Sequence, residues 1–254
     1  MTLQVTGVSL SFGGIKAVSD ISFTVHPGQI VALIGPNGAG KTSLINSIAG
    51  SYVPEAGTIQ WKEHRLEGRA PHTIVSYGVS RTFQNVATLH DLTVLDLVKL
   101  GVGPKLAANP ALTLLGWSSV RGQEQHFRQI LTTEVLSPLG LADQADQPIQ
   151  TLSYGSRKIV DLARALASQP SLLLLDEPVA GLSASEAQHV ASTIHGIREK
   201  FGTTVLMVEH KMDVVMGISD RIVVMASGKK IFEGLPAEVQ RDQEVRRVYL
   251  GETQ

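Results

Sequence analysis

The chain has 254 residues, is 43 % hydrophobic and 18 % charged, and sets 22 Lys and Arg against 23 Asp and Glu for a formal charge of −1. That length suffices to bury a large core, while the balanced charge argues against a surface built to wrap DNA or RNA. With no cysteine, disulfide frameworks, thiolate metal sites, iron–sulfur clusters and cysteine nucleophiles are excluded.

No apolar run approaches the roughly 20 residues of a spanning helix. The opening Met1-Thr2-Leu3-Gln4-Val5 lacks the basic and long apolar segments of an export signal, so a soluble cytoplasmic chain is expected. Leu3–Val5 begins a strand, and Ile21–Val25 alternates apolar and polar residues before a turn at His26-Pro27-Gly28. Ile30–Ile34 is instead a continuous apolar run, as in a strand covered on both faces. Ser43–Ala49 carries Leu44, Ile45 and Ile48 at helical spacing, and Gly57–Trp61 reads as a strand. From about Asn85 to Gln150 the pattern turns helical, at Thr93–Leu100 and Gln123–Leu136, around an irregular stretch at Gly101–Ser119. Alternation of strand and helix then returns. Helix Lys158–Ser168 leads to strand Leu172–Leu175, and a helix near Glu186–Lys200 leads to strand Thr204–Val208. A hairpin turns at Ser227-Gly228-Lys229, Pro236 opens a short helix, and Asp242–Leu250 closes as another.

Between the buried strand and the first helix lies Gly35-Pro36-Asn37-Gly38-Ala39-Gly40-Lys41-Thr42, a full G-x-x-x-x-G-K-[ST] in the context that motif requires. Its backbone N–H groups, with Ser43 at the helix start, are candidates to cradle phosphate oxygens. Lys41 supplies a cation for the β- and γ-phosphates, and the Thr42 hydroxyl can ligate Mg²⁺. The absence of any Asn-Lys-x-Asp removes the usual guanine-reading element. The apolar run Leu172–Leu175 ends in Asp176-Glu177, which puts Asp176 at a strand end to hold the Mg²⁺ shell and Glu177 after it to polarise water as general base. Together these imply a P-loop ATPase with ATP and Mg²⁺ as cofactors.

Between them stands Leu152-Ser153-Tyr154-Gly155-Ser156-Arg157. Here the sequence resembles an ABC-transporter nucleotide-binding domain, whose signature is LSGGQ. The resemblance implies an α/β fold: a P-loop NTPase (ABC ATPase) core, an antiparallel β-subdomain and an inserted α-helical subdomain. It covers residues 3–240 as one nucleotide-binding domain, with 1–84 and 156–240 as ATPase core, 85–155 as helical subdomain and 241–254 as a tail. By the same resemblance Gln84 is the Q-loop glutamine that contacts Mg²⁺ and the attacking water, and His210 is the switch histidine that reaches the γ-phosphate. Phe12 is the aromatic that stacks on adenine, and Val18 packs under ribose or adenine. Ser153, Tyr154 and Gly155 bind ATP in trans, on a partner's P-loop, so one protomer completes neither site.

Three departures stand out: Tyr154 replaces the first signature glycine, Ser156 the glutamine, and Ser183 the usual Asp after Ala180-Gly181-Leu182. Arg81-Thr-Phe-Gln84-Asn85, the tyrosine-bearing signature, Asp176–Leu182, Val208–Asp213 and Val248–Glu252 are similar to the G-type ATPase of branched-chain amino-acid importers and their urea-importer relatives. The partners implied are a second ABC ATPase subunit, as homo- or heterodimer, two membrane permeases and, indirectly, a substrate-binding protein, with no nucleic acid. The place implied is the cytoplasmic face of the inner membrane, held peripherally. The competing readings are a urea importer, a lipid or lipopolysaccharide exporter, and a soluble nucleic-acid-associated ABC ATPase. Long coiled coils or a doubled ATPase unit would favour the last, and this chain has neither.

Overall fold

The fold follows from how apolar residues alternate along three short strands. In a computed structural model, which describes residues 2–82, 92–107 and 120–250, β1 (Leu3–Phe12) and β2 (Ile15–Val25) form a long antiparallel hairpin. Strand β3 (Ile30–Ile34) then enters a second sheet and runs into helix α1 (Lys41–Ile48). Strands β4 (Ala56–Trp61) and β5 (His64–Arg65) complete a four-stranded sheet of order β2-β1-β4-β5. Helix α2 (Pro71–Ser76) and strand β6 (Val79–Arg81) follow. The helical region contributes α3 (Val94–Ala107) and α4 (Val120–Leu131), the latter continuing through a π turn at Thr132–Leu136. Then come α5 (Tyr154–Ala167), β7 (Leu172–Asp176), α6 (Ala184–Phe201), β8 (Thr204–Val208), α7 (Met212–Ile218), β9 (Arg221–Ala226) and β10 (Lys229–Gly234). Helices α8 (Pro236–Val239) and α9 (Gln243–Leu250) end the described chain.

The second sheet has the order β10-β9-β3-β8-β7-β6, parallel throughout except for the antiparallel β9–β10 hairpin. Every residue of β3, β7 and β8 is buried, as expected of parallel strands covered on both sides. Alternation sorts these residues into two cores. Ile30, Ala32, Ile34, Leu173, Leu175, Val205 and Met207 pack with the helices, whereas Val31, Leu33, Leu172, Leu174, Leu206 and Val208 pack with α1 and the antiparallel sheet. A one-residue slip in any strand would exchange the two sets.

The long strands and helices lie where the sequence puts them, with three adjustments. Strand β5, helix α2 and strand β6 carry too few residues for a periodic signal. Helix α3 runs through Gly101 to Ala107 instead of yielding to irregular chain, and residues 108–119 of the expected irregular stretch lie outside the described residues. Helix α5 begins at Tyr154, four positions ahead of its apolar face, because Ser153 Oγ caps it by accepting from the Ser156 N–H at 3.1 Å.

Helix α3 lies against α5 so closely that a Cβ at Gly101 would fall 1.9 Å from the Arg164 carbonyl oxygen. Gly101→Ala should therefore lower unfolding stability by about 1–3 kcal/mol through overpacking, despite alanine's helix advantage of about 1 kcal/mol. Urea denaturation reads this, and an equally stable or stabilised variant would overturn the close α3–α5 contact.

Candidate functional site

The parallel strands deliver their loops to one edge of the sheet, outside their carboxyl ends, where open α/β sheets bind ligands. Strand β3 delivers Gly35–Gly40, β7 delivers Asp176-Glu177, β8 delivers Glu209-His210 and β6 delivers Arg81. The Gly35–Gly40 loop is wedged in place by backbone. A Cβ on Gly35 would meet the Met225 carbonyl at 2.1 Å, and one on Gly40, whose φ is +95°, would meet the Ala17 carbonyl at 2.0 Å. Gly38 is different: among the described residues nothing lies within 4 Å of its would-be Cβ, so the loop's crest is open on that side. Lys41 folds back into the loop, its Nζ donating to the carbonyls of Gly35 (2.8 Å) and Pro36 (2.9 Å). Burial pushes the Lys41 ammonium below its usual pKa, and the charges of Glu177 and Asp176 partly oppose this. Those carboxylates therefore face the same small volume as the lysine. Pro36, Asn37, Ala39, Thr42 and Ser43 lie along the loop and the first turn of α1.

Asp176 ends β7 with its side chain wholly buried. Arg81 donates from Nη2 to Asp176 Oδ2 at 2.9 Å and also contacts Asn46. The second oxygen, Oδ1, is buried with no hydrogen-bond partner among the described residues. Burial raises the Asp176 pKa above the usual carboxylate range, with Arg81 pulling the other way. A buried, half-satisfied carboxylate beside the lysine loop fits the oxygen donor that a hard divalent cation such as Mg²⁺ prefers. The next residue, Glu177, sits in the left-handed region at φ +51°, a conformation costing about 1–3 kcal/mol that clusters at functional sites. Its N–H donates to the Val208 carbonyl at 2.9 Å, and its Oε1 meets His210 Nε2 at 3.0 Å.

Glu209, quoted above only within Val208–Asp213 and given no role there, organises this turn. It is 1 % exposed, and its Oε1 accepts from the Val179 N–H (2.9 Å) while Oε2 accepts from the N–H groups of His210 (2.7 Å) and Lys211 (3.1 Å). One carboxylate thus ties the segment after Glu177 to the segment bearing His210. Its local sequence signal is an acid directly after a buried strand, which says nothing of the N–H groups it accepts from. Arg81 was visible within a motif, but its pairing with Asp176 was not.

The remaining candidates divide. Phe12 and Ile15 pair at the tip of the β1–β2 hairpin; Phe12 is 44 % exposed and its ring meets Tyr52 edge-on at 5.0 Å. Val18 departs from expectation: it is fully buried in the β core and offers no side-chain surface to ribose or adenine, while its neighbour Ala17 touches the loop through its carbonyl. Gln84 lies outside the described residues. Ser153, Tyr154 and Gly155 form the start of α5 and share no hydrogen bond with the Lys41 loop among the described residues. Beside them Glu186 approaches Gly155 and closes a capping box with Ser183 at the start of α6. Ser183, which stands where Asp is usual, is thus engaged by its own helix.

Residues 18–180 match the family model described as ABC transporter, and residues 229–253 match one described as branched-chain amino acid ATP-binding cassette transporter. The chain is 37 % identical over 250 residues to the high-affinity branched-chain amino acid transport ATP-binding protein LivG of Escherichia coli, covering 98 % of both chains. It is 34 % identical, at the same coverage, to the corresponding protein BraF of Pseudomonas aeruginosa. Among solved structures, a nucleotide-free ATP-binding cassette from an ABC transporter superposes with TM-score 0.86 at 29 % identity, over 99 % of this chain and 100 % of that one. A cassette in its ADP conformation superposes equally well, at 30 % identity and the same coverage. These relatives bear out the resemblance to the G-type subunits and the mixed α/β cassette fold. No described helix is long and apolar enough to cross a membrane. The chain belongs to the ABC transporter family, as an ATP-binding subunit whose ATPase activity is coupled to transport.

Proposed function

We propose that this chain is the motor of an importer for branched-chain amino acids. The observation that carries hydrolysis at this site is the contact of Glu177 Oε1 with His210 Nε2 beside the loop holding Lys41 and at the end of the strand bearing Asp176. The cargo rests on relatives whose names specify branched-chain amino acid transport and which match the chain from end to end.

In this reading the crest of the Gly35–Gly40 loop, Thr42, Ser43 and the first turn of α1 hold the ATP phosphates. Lys41 exchanges its loop carbonyls for phosphate oxygens, and Phe12 stacks on the base. Glu177 accepts the proton of the attacking water and His210 fixes its orientation. Thr42, Asp176 and Gln84 are the ligands proposed for Mg²⁺. When bound, that ion neutralises charge on the phosphate oxygens. Ser153, Tyr154 and Gly155 at the start of α5 complete the site of a second cassette, a head-to-tail arrangement supported by their sharing no hydrogen bond with their own loop among the described residues. Two ATP molecules then bridge a dimer, and nucleotide shifts the balance between closed and open pairs. Two permeases receive that motion at the cytoplasmic face of the membrane, with a binding protein delivering cargo to them. The helical segment 85–155 is the part proposed to dock on them.

Glu177→Gln should lower steady-state phosphate release about 10²-fold or more while leaving ATP binding within about twofold, as read by nucleotide-dependent fluorescence. Undiminished turnover would remove Glu177 as the base.

For Asp176→Asn, the Mg²⁺ dependence of hydrolysis should be lost or moved to much higher concentration. Thermal melting should shift little, because relief from burying a carboxylate is offset by loss of the anionic partner of Arg81. An unchanged Mg²⁺ titration would refute the ligand assignment.

Cargo is read by uptake. Cells lacking the chain should lose high-affinity accumulation of labelled leucine, isoleucine and valine and keep that of urea, whereas the reverse pattern would replace the cargo assignment.

A further inference from the structure

Tyr154, where the family pattern has glycine, does not stand free at the head of α5. Its ring lies over Gly181 in the segment after Glu177, so close that a Cβ on Gly181 would be 3.2 Å from Tyr154 Cε1. The Lys158 ammonium sits 5.6 Å from the centre of the same ring, within cation–π range. One turn separates the two residues on one helix face. From that position Lys158 Nζ donates to the Glu177 carbonyl at 3.3 Å, an oxygen that also accepts from the Ala180 N–H at 3.2 Å. That carbonyl belongs to the residue in the left-handed conformation at φ +51°. A strained peptide persists only where its surroundings over-determine it. Here the Val208 carbonyl holds its N–H, and Ala180 with Lys158 holds its oxygen.

We propose that Lys158 is a positioning residue for hydrolysis: braced on the Tyr154 ring, its ammonium fixes the Glu177 peptide and so links the head of α5 to the direction of the Glu177 carboxylate. This rests on the reading of Glu177 as general base. The head of α5 is the part proposed to meet the partner's nucleotide. A shift there moves Lys158, and Lys158 moves the base of its own chain. Tyr154 thus has a use that glycine could not serve, as the platform on which the lysine is steadied.

The test is a double-mutant cycle on the full-length chain. Lys158→Met should lower kcat about tenfold or more, since small misplacement of a reacting group is costly, with the KM for ATP within about twofold. Lys158→Arg, which keeps charge, stem and donor, should restore at least about half of kcat. In a Glu177→Gln background, Lys158→Met should cost less than about twofold further, because the group it positions is already lost. A full tenfold loss in that background, or a raised KM with unchanged kcat, would overturn the proposal. Should Lys158→Met melt earlier than the parent, Lys158→Gln replaces it in the same cycle under the same criteria. Failure of the base reading looks different: Glu177→Gln alone would then turn over like the parent.

Discussion

Burial of β3, β7 and β8 on both faces is the constraint on which the site depends. A strand covered on one side can slide or twist against solvent, but these three carry residues committed alternately to two different cores. Their register is therefore set, and with it the points at which the chain leaves the sheet. Ile34, Asp176 and Val208 are the last residues of adjacent or near-adjacent strands in the order β3-β8-β7. The loop of Lys41, the pair Asp176-Glu177 and the pair Glu209-His210 must then meet at one edge. Convergence of these groups follows from packing that has no chemistry of its own.

The second requirement is that charge be held there without water to screen it. Lys41 is 5 % exposed and Asp176 2 %; burial weakens the charged form of each, and the opposite charges nearby restore part of it. The site divides its carboxylates by environment. Asp176 is enclosed, paired on one oxygen with Arg81 and, among the described residues, unpartnered on the other. Glu177 is only half-buried and reaches His210 in reach of solvent. Glu209 is enclosed, with both oxygens engaged by three backbone N–H groups. Three acids at one sheet edge are thus a candidate cation holder, a candidate base and a backbone clamp, and only their surroundings distinguish them.

How far the sequence discloses this depends on the range of each signal. The apolar runs at Ile30–Ile34, Leu172–Leu175 and Thr204–Val208, the glycine loop and the acids after a buried strand are contiguous, and all were legible. Strands β5 and β6 and helix α2 are too short for periodicity, and their existence is decided by neighbours. Helix α3 continues through Gly101, where composition suggests a break, because the glycine permits close approach to α5. Glu209 and Arg81 act through partners distant in sequence (Val179 and Asp176), so no local pattern announces them. Val18 misleads in the opposite direction. Its place near the loop is real, but the β1–β2 hairpin turns its side chain into the core and leaves only the neighbouring backbone in contact.

The departures from the family signature gain a common explanation from packing. Ser156 supplies the N–H and hydroxyl that Ser153 Oγ engages, so the head of α5 is capped within its own first turn. Ser183 and Glu186 close a capping box on α6, and Glu186 also approaches Gly155. Tyr154 fills the space over Gly181. Each of the three residues thus makes a contact inside its own chain. The heads of α5 and α6 and the turn of Glu177 consequently form one continuous contact network, joined at Tyr154, Lys158 and Glu186. A force applied at the head of α5 is then carried to Glu177 by side-chain and backbone contacts over a single helical turn, with no need for the sheet beneath it to deform.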